Sequence, residues 1–125
     1  MKTVNQIVDI SEVLDRRGAF FCFSDDQFQR QKIEGVQYEN GGGGLVAPVG
    51  ETKFIWEEIN ELYSEARKYQ LDKYGKEKII HYELMNHECY YTGDYEDVLD
   101  VLSDYGITEE EIKVQFKRDF EKYCD

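Results

Sequence analysis

Apolar side chains recur every three to four residues over most of this chain, which is the spacing of amphipathic helices. The clearest case is residues 51–74, where Ile55, Ile59 and Leu62 step around one face. The same spacing predicts helices over residues 3–15, 76–91 and 95–105, and two more that begin after Ser24 and Thr108. The last of these is predicted to turn Ile112, Phe116, Phe120 and Tyr123 inward.

Two helix ends carry clear local signals. Arg16 and Arg17 precede Gly18, which places cations near a helix C-terminus and a glycine where a left-handed cap is needed. Thr108 and Glu111 have the spacing of a capping box, so they predict the start of the last helix.

Strands are predicted at two apolar runs. Residues 19–23 form a continuous apolar run typical of a buried central strand, and residues 45–49 are predicted to form an edge strand marked by Pro48. Residues 36–39 are a further short candidate. The four glycines at residues 41–44 favour a hairpin or surface loop over a phosphate cradle, because no Gly-Lys-Ser/Thr sequence follows them.

These elements predict a mainly helical α+β fold. We expect about five helices around a small sheet that includes residues 19–23 and 45–49. A chain of 125 residues has the length of a single domain, residues 1–125.

Charge narrows the classes of partner. The net charge is −12, and most of it falls after residue 50, where ten basic residues face twenty acidic ones. Such a chain repels phosphate backbones and anionic membranes, so we expect no direct nucleic-acid binding and no membrane association, whereas a basic protein partner is permitted. The widely spaced Cys22, Cys89 and Cys124 are typical of reduced thiols in a cytoplasm. We expect no signal peptide and no membrane span, because the first residues lack an apolar core and no apolar run approaches about 18 residues.

The most acidic stretch is residues 79–112, which hold ten carboxylates and no lysine or arginine. On a helix, Asp97, Asp100 and Asp104 would share one face, with Asp94 and Glu96 beside them. Their spacing is close to that of phosphates along a nucleic-acid strand, so this face is a candidate for binding a basic groove. The simpler interpretation is a solvated outer face that serves solubility.

A second candidate site surrounds His87. His81, His87, Glu83, Glu88 and Cys89 are all zinc-ligand types, but on one helix only Glu83 and His87 have the i, i+4 spacing that a metal pair requires. We therefore expect no metal site and no cofactor, and interpret His87 as a core histidine hydrogen-bonded to Glu83. A site at Glu83, His87 and Glu88 remains the alternative.

Catalysis finds little support in the sequence. Neighbouring residues on a helix point apart, so His87 and Cys89 are not predicted to form a catalytic pair, and no catalytic motif is present. The alternative to a binding protein is a metal-dependent or thiol-dependent hydrolase that uses the region of His81, His87 and Cys89.

Two segments, residues 18–28 and residues 84–94, resemble small proteins encoded by bacteriophages and prophages, most of which have no assigned function. The resemblance implies a phage or mobile-element accessory protein in a bacterial cytoplasm. It does not imply any catalytic residue in this chain. With the acidic stretch, it leads us to expect a non-enzymatic binding protein that mimics nucleic acid or inhibits a basic host or defence protein.

Overall fold

Helices account for most of the computed structural model, which describes residues 1–123. The helices are α1 (Val4–Ile7), α2 (Ser11–Arg17), α3 (Asp25–Gln31), α4 (Thr52–Tyr74), α5 (Lys76–Asn86), α6 (Cys89–Thr92), α7 (Leu99–Ser103) and α8 (Glu109–Tyr123), with a 3₁₀ turn at Glu96–Val98. The strands are β1 (Phe20–Phe21), β2 (Tyr38–Gly42) and β3 (Leu45–Pro48). The predicted α+β class is confirmed, including strands within residues 19–23 and 45–49. The Cys124 thiol and the predicted inward side chain of Tyr123 lie outside what is described.

The residues group into two compact units, one of residues 5–65 and one of residues 1–4 with the chain from Ala66 onward. The first unit holds an antiparallel sheet in the order β1-β3-β2. Its register pairs Phe20 with Val46, and Glu39 with Ala47. Gly43 and Gly44 form the turn of the β2–β3 hairpin with positive φ angles. The prediction of a hairpin at the glycine run is therefore confirmed.

The predicted strand order was wrong. Residues 19–23 supply only a two-residue, half-buried edge strand, and Phe23 beyond it is exposed. The central strand is β3, whose Leu45 and Ala47 are fully buried against Ile55 and Ile59 of α4. A short apolar run gives no information about which neighbours it pairs with, and here β3 is the strand that pairs on both sides.

The predicted helix over residues 3–15 is divided in two. The Asp9 carboxylate accepts a hydrogen bond of 2.9 Å from the Ser11 amide, which breaks the helix and restarts it as α2. At the other end of α2, Gly18 is left-handed as predicted. Arg17 also has a role that the sequence did not show, because its guanidinium bonds Glu51 at 2.7 Å and Glu58.

The second unit is built on α5 and α8. Its core contains the fully buried side chains of Ile79, Leu84, Leu102 and Ile112. Buried Gln70 on α4 donates to the Lys2 carbonyl at 2.7 Å and accepts from the Tyr105 hydroxyl, so the first residues of the chain are held in this unit. Within the described part of the chain, no helix is long and apolar enough to cross a membrane.

The Thr108 capping box is confirmed, and it provides a direct test of what one helix cap contributes. The Thr108 hydroxyl accepts from the Glu111 amide, and the Glu111 carboxylate accepts from the Thr108 amide, both at 3.2 Å. We expect Thr108→Ala to lower the free energy of unfolding by about 1 kcal/mol in urea denaturation. The control is Ser103→Ala, which removes an exposed hydroxyl that caps no helix. This variant should change the free energy of unfolding by less than about 0.5 kcal/mol. Equal effects of the two variants would contradict the assignment of the cap.

Candidate functional site

Five carboxylates in the second unit form a surface that we call the acidic surface: Asp94, Glu96, Asp97, Asp100 and Asp104. All five side chains are exposed, as predicted. Within residues 1–123, no lysine or arginine forms an ion pair with any of them. Their charges are therefore balanced only by solvent and dissolved ions.

The backbone under this surface differs from the predicted helix over residues 95–105. The Asp94 carboxylate accepts from the Glu96 amide at 2.9 Å and begins a 3₁₀ turn, which leads into the short helix α7. Val98 and Leu102 are completely buried on the inner side. Because these two residues anchor the segment in the core, Asp100 between them and Asp97 and Asp104 beside them project into solvent.

The predicted helix over residues 76–91 ends early, and this changes which tyrosine is buried. Glu88 is left-handed, with φ of 56°, so α5 ends at Asn86 and α6 starts at Cys89 in a new phase. On one continuous helix over residues 76–91, Tyr91 would share the apolar face of Ile80 and Leu84, but Tyr90 is buried instead and Tyr91 is 91% exposed. The break leaves a large aromatic side chain in solvent three residues before Asp94.

The alternative site at Glu83, His87 and Glu88 contains one close pair. His87 Nε2 lies 3.4 Å from the Glu83 carboxylate, as predicted, although His87 is half-buried at the end of α5 and is not a core residue. Burial raises the pKa of Glu83, and His87 only partly opposes this. Glu88 is exposed. Among the described residues, no three His, Cys, Asp or Glu side chains gather as metal ligands would.

The thiol of Cys89 has properties opposite to those of a nucleophile. It is 1% exposed. Burial raises its pKa, and the negative charges of Asp97 and Asp94 raise it further. A reactive cysteine needs a lowered pKa and access to substrate, so this environment disfavours the thiol-dependent alternative. His81, the third residue of that hypothesis, belongs to a different group of side chains.

That group is a buried polar network that the sequence did not reveal. The Asp119 carboxylate on α8 accepts from the Tyr90 hydroxyl at 3.1 Å and from the Arg118 Nε at 3.3 Å. His81 Nδ1 on α5 lies 3.3 Å from the Tyr90 hydroxyl and 3.7 Å from the Asp119 carboxylate. Gln115 adds a weaker bond to Asp119 at 3.4 Å. The network links α5, α6 and α8.

Asp119 remains charged despite its burial. Burial raises its pKa, but hydrogen bonds from Tyr90, Arg118 and Gln115 outweigh this and hold its pKa below the ordinary value. A carboxylate with a lower pKa in the folded state stabilises the fold above its unfolded pKa of about 3.9. That stabilisation is lost as the pH falls through the lower, folded-state value.

We expect Asp119→Asn to lower the free energy of unfolding at pH 7 by about 1 to 3 kcal/mol, because three donors lose a charged acceptor. The loss of stability on acidification should also be smaller in the variant than in the wild type. Chemical denaturation between pH 3 and pH 7 measures both effects. Asp72→Asn is the control, since Asp72 is exposed on α4. Parallel pH profiles for wild type and Asp119→Asn would contradict this role.

Comparison with known proteins gives a family without an assigned activity. Residues 7–125 match the family model described as a family of unknown function, DUF7659. No curated protein and no solved structure matches the chain. The match covers nearly the whole chain, from the end of α1 onward, and so includes the acidic surface and the Asp119 network. The chain therefore belongs to the DUF7659 family.

Proposed function

We propose that this protein is a non-enzymatic binding protein whose acidic surface engages a basic protein partner. The observation that carries the proposal is the state of the acidic surface: five exposed carboxylates, none of them ion-paired within residues 1–123. We further propose, from the resemblance to phage and prophage proteins, that it acts as an accessory protein in a bacterial cytoplasm. Its partner would then be a basic, nucleic-acid-binding protein of the host.

Within residues 1–123, Asp94 is the one carboxylate of the acidic surface that bonds its own backbone segment, through the Glu96 amide. Asp97 in the 3₁₀ turn, Asp100 in α7 and Asp104 just after α7 are three and four residues apart, and like charges one turn apart destabilise a helix by about 0.2 to 0.5 kcal/mol per pair. A nearby lysine would relieve the repulsion, yet residues 79–112 contain no lysine or arginine. A basic partner would supply the missing positive charge.

Tyr91 supports a protein partner over a purely solubilising role. A solvated face needs no large aromatic group, whereas tyrosine is enriched among the residues that dominate binding energy at protein interfaces. Tyr91 is 91% exposed, and Met85 and Val101 of the same unit are also exposed. The proposed contact therefore combines a charged rim with an aromatic anchor.

The proposed mechanism is electrostatic steering followed by pairing of carboxylates with arginine and lysine. Steering raises the association rate and makes it sensitive to salt, because dissolved ions screen exposed charges over about 8 Å at physiological ionic strength. If the partner normally binds nucleic acid, this protein would compete with nucleic acid for the same basic site on the partner. Double-stranded DNA should therefore displace the protein from it.

The acidic surface can be tested with the triple variant Asp97→Asn, Asp100→Asn, Asp104→Asn. Immobilised protein is exposed to a lysate of the source organism, and the captured partner is quantified over a series of sodium chloride concentrations. We expect the triple variant to capture at least about tenfold less at low salt and to show a flatter salt dependence, since about 1.4 kcal/mol of binding energy is a factor of ten.

The matched control is Glu57→Gln, Glu61→Gln, Glu65→Gln. These three exposed glutamates of α4 are spaced by four residues, and their replacement changes the net charge by the same amount. The control variant should capture like the wild type. Equal losses in both variants would show that only net charge matters, and unchanged capture by the Asp97 triple variant would remove the acidic surface from the mechanism.

A further inference from the structure

A cleft in the second unit combines two cations with two carboxylates. It is open, has a volume of about 380 Å³, and lies between the start of α5 and the outer side of α8. Its walls carry Tyr74, Lys78, His81 and Arg118, with Glu77 at the rim and Asp119 in the floor. We propose that this cleft binds a small oxyanion, the phosphate or carboxylate group of a low-molecular-weight ligand.

The first support is that Lys78 has no acidic partner within residues 1–123. Its ammonium lies 5.3 Å from the centre of the Tyr74 ring, and Lys73 lies over the same ring at 5.5 Å. A hydrogen bond from the Lys2 amide lowers the pKa of Tyr74, and the charges of Lys73 and Lys78 lower it further. These two cations lie close together in a chain of net charge −12.

The second support is that buried Asp119 positions two other cleft groups. It holds the Nε side of Arg118 at 3.3 Å, and with Tyr90 it lies beside Nδ1 of His81. An arginine held at Nε keeps its terminal N–H groups available, and a guanidinium is the side chain that best fits the oxygens of phosphate and carboxylate. Asp119 keeps its negative charge, and its oxygens already accept bonds from Tyr90, Gln115 and Arg118.

Glu77 and Asp119 both oppose an anion, but Asp119 is buried and already hydrogen-bonded, and the contact of Glu77 with Arg118 is weak. Its carboxylate lies 3.6 Å from the Arg118 terminal nitrogen, and its side chain is 80% exposed. Exposed pairs of this kind contribute about 0 to 1 kcal/mol, so an incoming oxyanion can displace the carboxylate into solvent. The ammonium of Lys78 and the guanidinium of Arg118 would then share the anion.

The test uses the full-length ¹⁵N-labelled protein titrated with inorganic phosphate, and separately with acetate, while sodium chloride keeps the ionic strength constant. We expect saturable shifts of the amide resonances of Lys78, His81 and Arg118. Saturation by phosphate alone indicates a phosphate-bearing ligand, and saturation by acetate indicates a carboxylate; either supports the site. Shifts that stay linear with both anions would overturn it.

Variants assign the binding to the cleft. Lys78→Gln should weaken anion affinity about tenfold, as expected for loss of one charge-assisted contact, whereas Lys113→Gln, an exposed lysine of α8 that does not line the cleft, should change it less than twofold. Arg118→Lys retains a cation beside Asp119 but loses the planar guanidinium, so it should also weaken binding and serves as the second variant if Lys78→Gln does not fold. Equal affinities in Lys78→Gln and Lys113→Gln would contradict the proposal.

Discussion

The buried carboxylate of Asp119 is the interaction on which the second unit depends. Hydrophobic contacts among Ile79, Leu84 and Ile112 bring α5 and α8 together, but they are non-directional. The bond of Asp119 on α8 to Tyr90 of α6, with His81 of α5 alongside, fixes how α8 lies against α5 and α6. A buried charge is costly unless its bonds are satisfied, so alternative packings that break these bonds are penalised.

In this arrangement, the acidic surface of the second unit lies apart from several of the unit's cations. The connection after α6 holds the acidic surface and is anchored by the buried Val98 and Leu102, while several cations of α8 and the start of α5 lie elsewhere. Lys76 pairs with Glu111 at 3.1 Å, and Arg118 with Asp119, but the carboxylates of the acidic surface receive no such partner within residues 1–123. The described part of the chain thus presents an anionic face without ion pairs and a separate cleft in which Lys78 and Arg118 lie with two carboxylates.

Local signals in the sequence predicted local features well. Thr108 with Glu111, Gly18 after two arginines, and Ser24 before α3 each act within four residues, so the structure repeats what the sequence indicates. Features that depend on distant residues were not predicted. The left-handed Glu88 is marked by no glycine or proline, and the pairing of Tyr90 with Asp119 joins residues 29 positions apart. An aspartate in a helix of charged residues looks solvated in sequence, and only the fold shows that it is buried.

We propose that the repulsion among the exposed carboxylates of the acidic surface is relieved by a binding partner and not within the fold. The salt dependence of the free energy of unfolding at pH 7 measures this repulsion directly, because added sodium chloride screens exposed like charges. The glutamates of the control variant have Lys53 and Lys68 one helical turn from Glu57 and Glu65, so their repulsion is already partly relieved. Salt should therefore stabilise the wild type and the Glu57 control variant more than the variant with Asp97, Asp100 and Asp104 changed to Asn, and that variant should be the most stable at low salt. Equal salt responses of all three proteins would contradict the proposed repulsion within the acidic surface. So would an Asn variant that is the least stable of the three at low salt.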